Sequence, residues 1–85
     1  MKTDIVIVNW NSGDYLFKCI QSVFTERNEP LIGEVFIIDN NSSDDSIVQL
    51  ANYNKQRIIK NCQNLGFAKA CNQGFKLTTS AYVLL

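Results

Sequence analysis

Polar side chains directly after short apolar runs are the groups of this sequence that could do chemistry. The clearest is Asp39, a carboxylate that follows the four apolar residues 35–38. A continuous apolar run predicts a buried parallel strand, and ligands of open α/β sheets bind beyond the carboxyl ends of such strands. Asp39 is therefore predicted to lie beside a ligand. Alternatively, an aspartate in this position binds no ligand and only caps the following turn, by accepting hydrogen bonds from the backbone of that turn.

Two further polar segments, 9–14 and 61–66, also follow apolar runs. If the three strands are neighbours, the segments 9–14, 39–44 and 61–66 open on one crevice at the same edge of the sheet. Amides and hydroxyls there suit hydrogen bonds to ribose hydroxyls or to the polar edge of a base. Asparagine also gathers in loops because it tolerates left-handed backbone. The candidate ligand-binding residues of the crevice are Asn9, Asn11, Asp39, Asn40, Asn41 and Asn64.

Alternating strands and helices in the order βαβαβαβ would hold these loops, which predicts an α/β fold with a parallel, Rossmann-like sheet and right-handed crossovers. The third strand is brief and flanked by charges, as edge strands tend to be. The predicted strands are 4–8, 34–39, 57–60 and 81–85.

Apolar residues three and four apart predict a helix after each of the first three strands. The first has its apolar stripe within 16–24, and Ser12 or Asp14 can cap it. The second is short, with its stripe within 47–51. The third, within 67–78, turns small residues towards the sheet and leaves Asn64, Lys69 and Asn72 at its exposed start.

Acidic residues of the segment after Asp39 are expected to be capping groups and not catalytic ones. Ser42 and Asp45 fit the capping pattern of a helix start, and Asp44 and Asp45 in a first turn favour the positive end of the helix dipole.

Composition and charge exclude several functional classes. The chain has 46% hydrophobic and 19% charged residues, which is typical of one globular domain, and 8 acidic residues balance 8 basic ones. Zero net charge predicts neither a nucleic-acid binder nor a basic membrane-binding face. The N-terminus lacks the apolar length of a signal peptide, so a cytoplasmic protein is expected.

Cysteine and motif content narrows the chemistry further. The chain has no histidine, and Cys19, Cys62 and Cys71 have no CxxC spacing, so buried reduced thiols are expected in place of a zinc site or disulfides. The missing histidine also excludes a serine hydrolase triad. Segment 9–13 has one glycine, which excludes GxGxxG, and no glycine-rich turn with lysine forms a P-loop.

Three motifs together resemble the N-terminal half of family-2 glycosyltransferases, nearest to the bacterial rhamnosyltransferase-like branch. They span essentially the whole chain in the usual order and spacing, although each alone would be weak. The motifs are residues 4–11 (DIVIVNWN), 38–44 (IDNNSSD) and 64–68 (NLGFA) with Asn72 and Gly74.

This resemblance implies a GT-A fold and inverting transfer of a sugar from a nucleoside diphosphate sugar to an acceptor hydroxyl, in polysaccharide or cell-surface glycan synthesis. It implies that Asp39 contacts the nucleoside, that Asn9 and Asn11 lie beside it, and that the segment from Asn64 through Gly66 to Asn72 borders the nucleotide. Asn41 is a further nucleotide-binding residue that the resemblance implies. A Mg²⁺ or Mn²⁺ ion on the diphosphate would be held by a DxD-like motif after the fourth strand.

The DxD-like carboxylates, the general base and the glycan acceptor site would all lie beyond Leu85, so the chain is expected to be the nucleotide-binding half of a longer enzyme. That enzyme could work at the inner face of the membrane. We expect the chain alone to lack catalytic residues and a bound metal, and to form a homodimer through exposed strand or helix faces. The alternative is a non-catalytic α/β module that binds nucleotide or another protein, with Asp39 as a turn residue.

Overall fold

A computed structural model describes residues 2–50, 52–80 and 82–84. The chain forms β1 (Thr3–Asn9), α1 (Asp14–Val23), a 3₁₀ turn (Glu29–Leu31), β2 (Ile32–Asp39), β3 (Gln56–Lys60), α2 (Phe67–Phe75) and β4 (Tyr82–Leu84).

The four strands form one parallel sheet in the order β3-β2-β1-β4. The predicted α/β fold with a Rossmann-like parallel sheet is therefore confirmed, and β3 lies at an edge as its flanking charges predicted. Of the predicted fourth strand, residues 81 and 85 lie outside the described residues.

Strand register aligns the polar residues that follow the apolar runs. Asn9 at the end of β1 is opposite Asp39 at the end of β2, and Asp39 is opposite Lys60 at the end of β3. Since the strands are parallel, all three residues reach the same edge of the sheet.

The sheet carries a packed cluster on each face, because successive side chains of a strand point to opposite sides. On one face, Leu16 and Ile20 of α1 pack with Val35 and Ile37. On the other face, Ala70 of α2 packs with a second set of strand residues, which are Val6, Phe36 and Ile38.

Small residues bring α2 close to the sheet, as predicted. Ala70, Cys71 and Gly74 are buried, and a methyl group on Gly74 would collide with the Val6 side chain. The aromatic ends of the predicted stripe do not join this contact, since Phe67 and Phe75 are exposed.

The predicted helix between β2 and β3 is wrong for the residues that the structure describes. Residues 46–49 form turns, held by the contacts Gln49 N to Asp45 O (3.2 Å) and Leu50 N to Ile47 O (3.1 Å). The Ser42 hydroxyl, expected to cap this helix, binds Asp39 and other loop groups instead. A segment this short gains too few helical hydrogen bonds to offset nucleation. Ala51 lies outside the described residues.

Side-chain capping of α1 is also a wrong prediction. The N-cap residue is Gly13, with φ 59°, and no side chain caps the helix. Ser12 instead donates its hydroxyl proton to the Asn9 side-chain oxygen, while Asp14 is exposed in the first turn.

The three cysteines are free, as expected, but only Cys71 is buried. Cys19 and Cys62 are exposed, so the expected burial is wrong for them. Cys19 lies on α1 beside an apolar groove of about 330 Å³ along β1. Association of two chains through such a face stays a prediction. Among the described residues, no helix is long and apolar enough to cross a membrane.

A buried carboxylate joins the start of the chain to the segment before β4. Asp4 is 2% exposed and accepts hydrogen bonds from the amides of Glu34 (2.9 Å), Thr79 (3.0 Å) and Ser80 (3.1 Å) and from the Ser80 hydroxyl (2.6 Å). Gly33 is required beside it, because a side chain there would overlap the Asp4 carboxylate.

The pKa of Asp4 lies below its ordinary value. Desolvation by burial acts to raise this pKa, but the hydrogen bonds from Ser80, Thr79 and Glu34 together outweigh it. The carboxylate is therefore the form that the fold stabilises.

We expect Asp4→Asn to lower the free energy of unfolding at neutral pH by about 2 to 4 kcal/mol, because buried donors lose their charged acceptor. The folded-state pKa is depressed, so the contribution of Asp4 is complete above the unfolded value near 3.9 and is lost as the pH falls through it towards the folded value. Urea denaturation at several pH values measures both effects. Asp14→Asn, an exposed control, should change stability little; an equal loss in both variants would contradict this role of Asp4.

Candidate functional site

The side chains of Asn9 and Asp39 bind each other across the ends of β1 and β2. Asn9 Nδ2 donates to Asp39 Oδ1 at 2.9 Å, and both residues are buried, with 2% and 4% exposure. The same Asn9 Nδ2 also donates to the Ser46 hydroxyl oxygen at 3.0 Å. A buried carboxylate needs such donors because its desolvation is otherwise unfavourable.

Ser42 completes the binding of the Asp39 carboxylate and connects it to the first loop. Its hydroxyl donates to Asp39 Oδ1 at 2.6 Å, and its amide donates to Oδ2 at 3.1 Å. The same hydroxyl oxygen accepts from the backbone amide of Asn11 at 2.9 Å. Asn11 returns a contact, since its side-chain oxygen accepts from the Ser43 amide at 2.7 Å.

Asp44 makes a second link between the first two loops. Its Oδ2 accepts from the Gly13 amide at 2.9 Å, and its Oδ1 accepts from the hydroxyl (2.5 Å) and the amide (3.1 Å) of Ser46. The Ser46 hydroxyl, with the Gly13 and Ser46 amides, holds the pKa of Asp44 below its ordinary value. Asp44 thus binds backbone amides, one of them that of Gly13 at the N-cap of α1, but it does not cap the helix predicted after β2, which the described residues do not form.

Asn40 joins the third loop to the second. The side-chain Nδ2 of Asn40 donates to the Gly66 carbonyl at 3.2 Å, and its side-chain oxygen accepts from Asn61 Nδ2 at 3.0 Å. Gly66 has φ 84° and donates its amide proton to Asn64 Oδ1 at 2.8 Å. The three predicted loops therefore do converge, through direct hydrogen bonds.

A polar cavity of about 310 Å³ opens at the carboxyl ends of β2 and β3. Its lining includes two acidic residues, Asp39 and Asp44, together with Asn41 and Lys60. The remaining lining residues are Ser42, Ile47, Val48 and Asn61. Carboxylate, amide and ammonium groups beside an apolar wall can bind a ligand that has both hydrogen-bond donors and acceptors and a flat apolar part.

The residues predicted to bind ligand occupy four different positions. Asp39 and Asn41 line the cavity, and Asn9 and Asn11 lie behind it as the partners of Asp39 and Ser43. Asn64 and Gly66 border the third loop, at the start of α2. Asn72 lies away from the cavity, on an outer surface of α2.

Backbone conformation explains part of the asparagine content. Asn11 and Asn41 have φ of 49° and 65°, a left-handed region that asparagine tolerates better than most residues. Asn11 is used by the fold in both backbone and side chain. Asn41 is exposed in the cavity, so its side chain is available to a ligand.

Sequence analysis missed Lys60 and Asn61 as lining residues. Lys60 was interpreted only as a charge flanking an edge strand, although its position at the end of a strand beside β2 is the signal that could have identified it. Asn61 was interpreted only as part of a loop. Its side chain exchanges hydrogen bonds with Gln73 of α2 (2.8 and 2.9 Å), which fixes this wall of the cavity.

The cavity does not fit a resident Mg²⁺ or Mn²⁺ site. Among the described residues, no group of three histidine, cysteine or acidic side chains could hold a metal ion. Asp39 and Asp44 already accept hydrogen bonds on both oxygens. What the arrangement can do is bind and orient a polar organic ligand.

Comparison with known proteins assigns the sequence to a family. A search of curated proteins found no match to the chain. The model of the family described as "Glycosyl transferase family 2" matches residues 4–85, which include all three loops and the cavity. The chain therefore belongs to glycosyltransferase family 2.

Proposed function

We propose that the chain binds the nucleotide of a nucleoside diphosphate sugar in the cavity at Asp39, as part of an enzyme that transfers the sugar to an acceptor hydroxyl with inversion. The observation that carries the proposal is the cavity itself, which lies at the carboxyl ends of the strands within the family match. On the motifs quoted above, we propose the rhamnosyltransferase-like branch and a role in polysaccharide or cell-surface glycan synthesis.

In this proposal, Asn41 and Lys60 contact the nucleotide, and Asp39 positions the loops around it. Asn41 and Lys60 reach the cavity with side chains that have no hydrogen bond or ion pair to the other described residues. Lys60 supplies a positive charge and Asn41 both a donor and an acceptor, while the buried Asp39 carboxylate keeps the loops in place. The chemistry of transfer, with its Mg²⁺ or Mn²⁺ ion, general base and glycan acceptor, would belong to residues beyond Leu85.

A non-catalytic α/β module is the second candidate. The observation that favours it is that every described carboxylate of the cavity is bound by the fold itself. In that case the loops would be a structural junction, and nucleotides would have no specific affinity for the cavity.

Asn41→Gly together with Lys60→Ala should weaken nucleotide binding by roughly tenfold, because each change removes a polar contact at the cavity without disturbing a bond of the fold. Glycine at position 41 keeps the left-handed backbone. Titration with uridine, thymidine and guanosine diphosphates, followed by NMR chemical shifts, measures the affinity. Lys18→Ala, on exposed α1, is the matched control, and unchanged affinity in the double variant would exclude this cavity as the site.

Asp39→Asn should lower both stability and nucleotide affinity, because an amide replaces one of two oxygens that face only donors. We expect a loss of about 2 to 3 kcal/mol in the free energy of unfolding. Asp45→Asn, on an exposed neighbour, serves as the control in denaturation and titration. If Asp39 is a turn residue alone, the loss is about 0.5 to 2 kcal/mol and the affinity is unchanged, provided that binding is measured where the variant is folded.

The purified chain should not turn over a nucleoside diphosphate sugar, because transfer needs both a group that stabilises the leaving diphosphate and a base for the acceptor. Release of nucleoside diphosphate, with and without Mn²⁺, is the measurement, and a longer chain from the same gene is the comparison. Sugar transfer or metal-dependent hydrolysis by the purified chain would contradict the expectation.

A further inference from the structure

Zero net charge conceals a strong separation of charge along the sequence. All eight acidic residues lie at or before Asp45, whereas five of the eight basic residues follow it. The later part of the chain, which forms β3 and α2, therefore carries positive charge without any acidic residue of its own. The zero net charge of the whole chain does not reveal this uneven distribution.

One concave surface collects part of this charge. Two adjoining hollows of about 620 and 420 Å³ share Ile59 and Leu77 and together form a groove between α2 and β3, here called the α2–β3 groove. Leu65 lines the same groove with these two residues, as do Lys69 of α2 and Lys76, the C-cap residue that follows α2. Leu77 is 43% exposed, so the apolar lining is open to solvent.

The two lysines of the groove have no acidic partner. Among the described residues, ion pairs join only Lys55 to Glu29 and Arg57 to Glu34. Arg57 lines the far end of the groove with its charge already paired. Lys69 and Lys76 are exposed and seven residues apart, which is about two helical turns, and Lys76 continues the helical backbone as the C-cap of α2. Both can therefore contact the same partner.

We propose that the α2–β3 groove binds an extended acidic peptide segment of a partner protein, with its acidic side chains on Lys69 and Lys76 and its apolar ones on Ile59 and Leu77. β3 is the edge of the sheet, so its outer backbone groups can pair with an added strand. Side chains of such a strand alternate between two faces, and those facing α2 would lie over the groove.

Shape favours a peptide over other anionic partners. A membrane surface is contacted best by projecting side chains, whereas the apolar residues here line a hollow. Nucleic acid is held by a larger density of positive charge and by aromatic stacking. The described lining of the groove has only one aromatic residue, Phe36, and that side chain is buried.

The test is fluorescence anisotropy with a labelled peptide that repeats Thr-Glu-Thr-Leu, added to the purified chain. We expect binding that weakens with salt and that falls by roughly tenfold or more in the Lys69→Glu, Lys76→Glu variant, because each exposed ion pair becomes a like-charge contact. Lys69→Gln with Lys76→Gln should give an intermediate loss. Circular dichroism confirms that each variant is folded.

Controls separate this surface from the nucleotide cavity and from other partners. Lys18→Glu removes an exposed helical lysine elsewhere and should leave peptide binding unchanged, and the Asn41→Gly, Lys60→Ala variant should do the same. A peptide repeating Thr-Lys-Thr-Leu should not bind. Absence of binding, an equal loss in Lys18→Glu, or tighter binding of phosphatidylglycerol vesicles or single-stranded DNA would overturn the proposal.

Discussion

The buried Asp39 carboxylate is the constraint on which the arrangement of this molecule depends. A negative charge at the end of an apolar strand is tolerated only where donors surround it, and here Asn9 and Ser42 provide them. Asn9 can do so because the parallel register places the ends of β1 and β2 side by side. The register of the sheet thus decides the geometry of the loops, and the loops form the cavity. The chain belongs to glycosyltransferase family 2, but the hydrogen bonds that join Asp39 to Asn9 and Ser42 follow from the buried charge and the strand register alone.

Sequence patterns predicted the sheet well because its two central strands, β1 and β2, contain nearly uninterrupted apolar runs, such as 35–38, with few alternative structures. The turns at 46–49 were harder, because Ile47 and Leu50 have helical spacing in a segment that is too short to gain from it. Ser12 and Ser42 look like capping residues by type. Their hydroxyls instead donate to Asn9 and Asp39, each three residues earlier in the chain. Ser42 also accepts a hydrogen bond from the Asn11 amide, 31 residues away, and a local pattern does not reveal such a contact.

The net charge of the chain does not show where its charged side chains lie in the fold. The balance of 8 acidic and 8 basic residues is compatible with a featureless surface, yet the fold uses them unequally. Asp4, Asp39 and Asp44 point into hydrogen-bond networks, where backbone amides and hydroxyls meet them. Lys69 and Lys76 stay in solvent. Two of the eight carboxylates, Asp4 and Asp39, are consequently buried, and the accessible surface near α2 is more basic than the composition suggests.

The hydrogen bonds of Asp4 also bear on the order in which the strands fold. Its bonds to Thr79 and Ser80 join residues 75 and 76 positions apart, so they close a loop that includes almost the whole described chain. A contact of such high sequence separation forms only after the segments between have collapsed, because the entropy of closing the loop must first be offset elsewhere. β4, which pairs with only the first half of β1, therefore docks late in folding and is the first strand to separate in local opening. Hydrogen exchange in the sheet would then spread from β4 towards β2, and the hydrogen-bonded loops around Asp39 would be among the last parts to open.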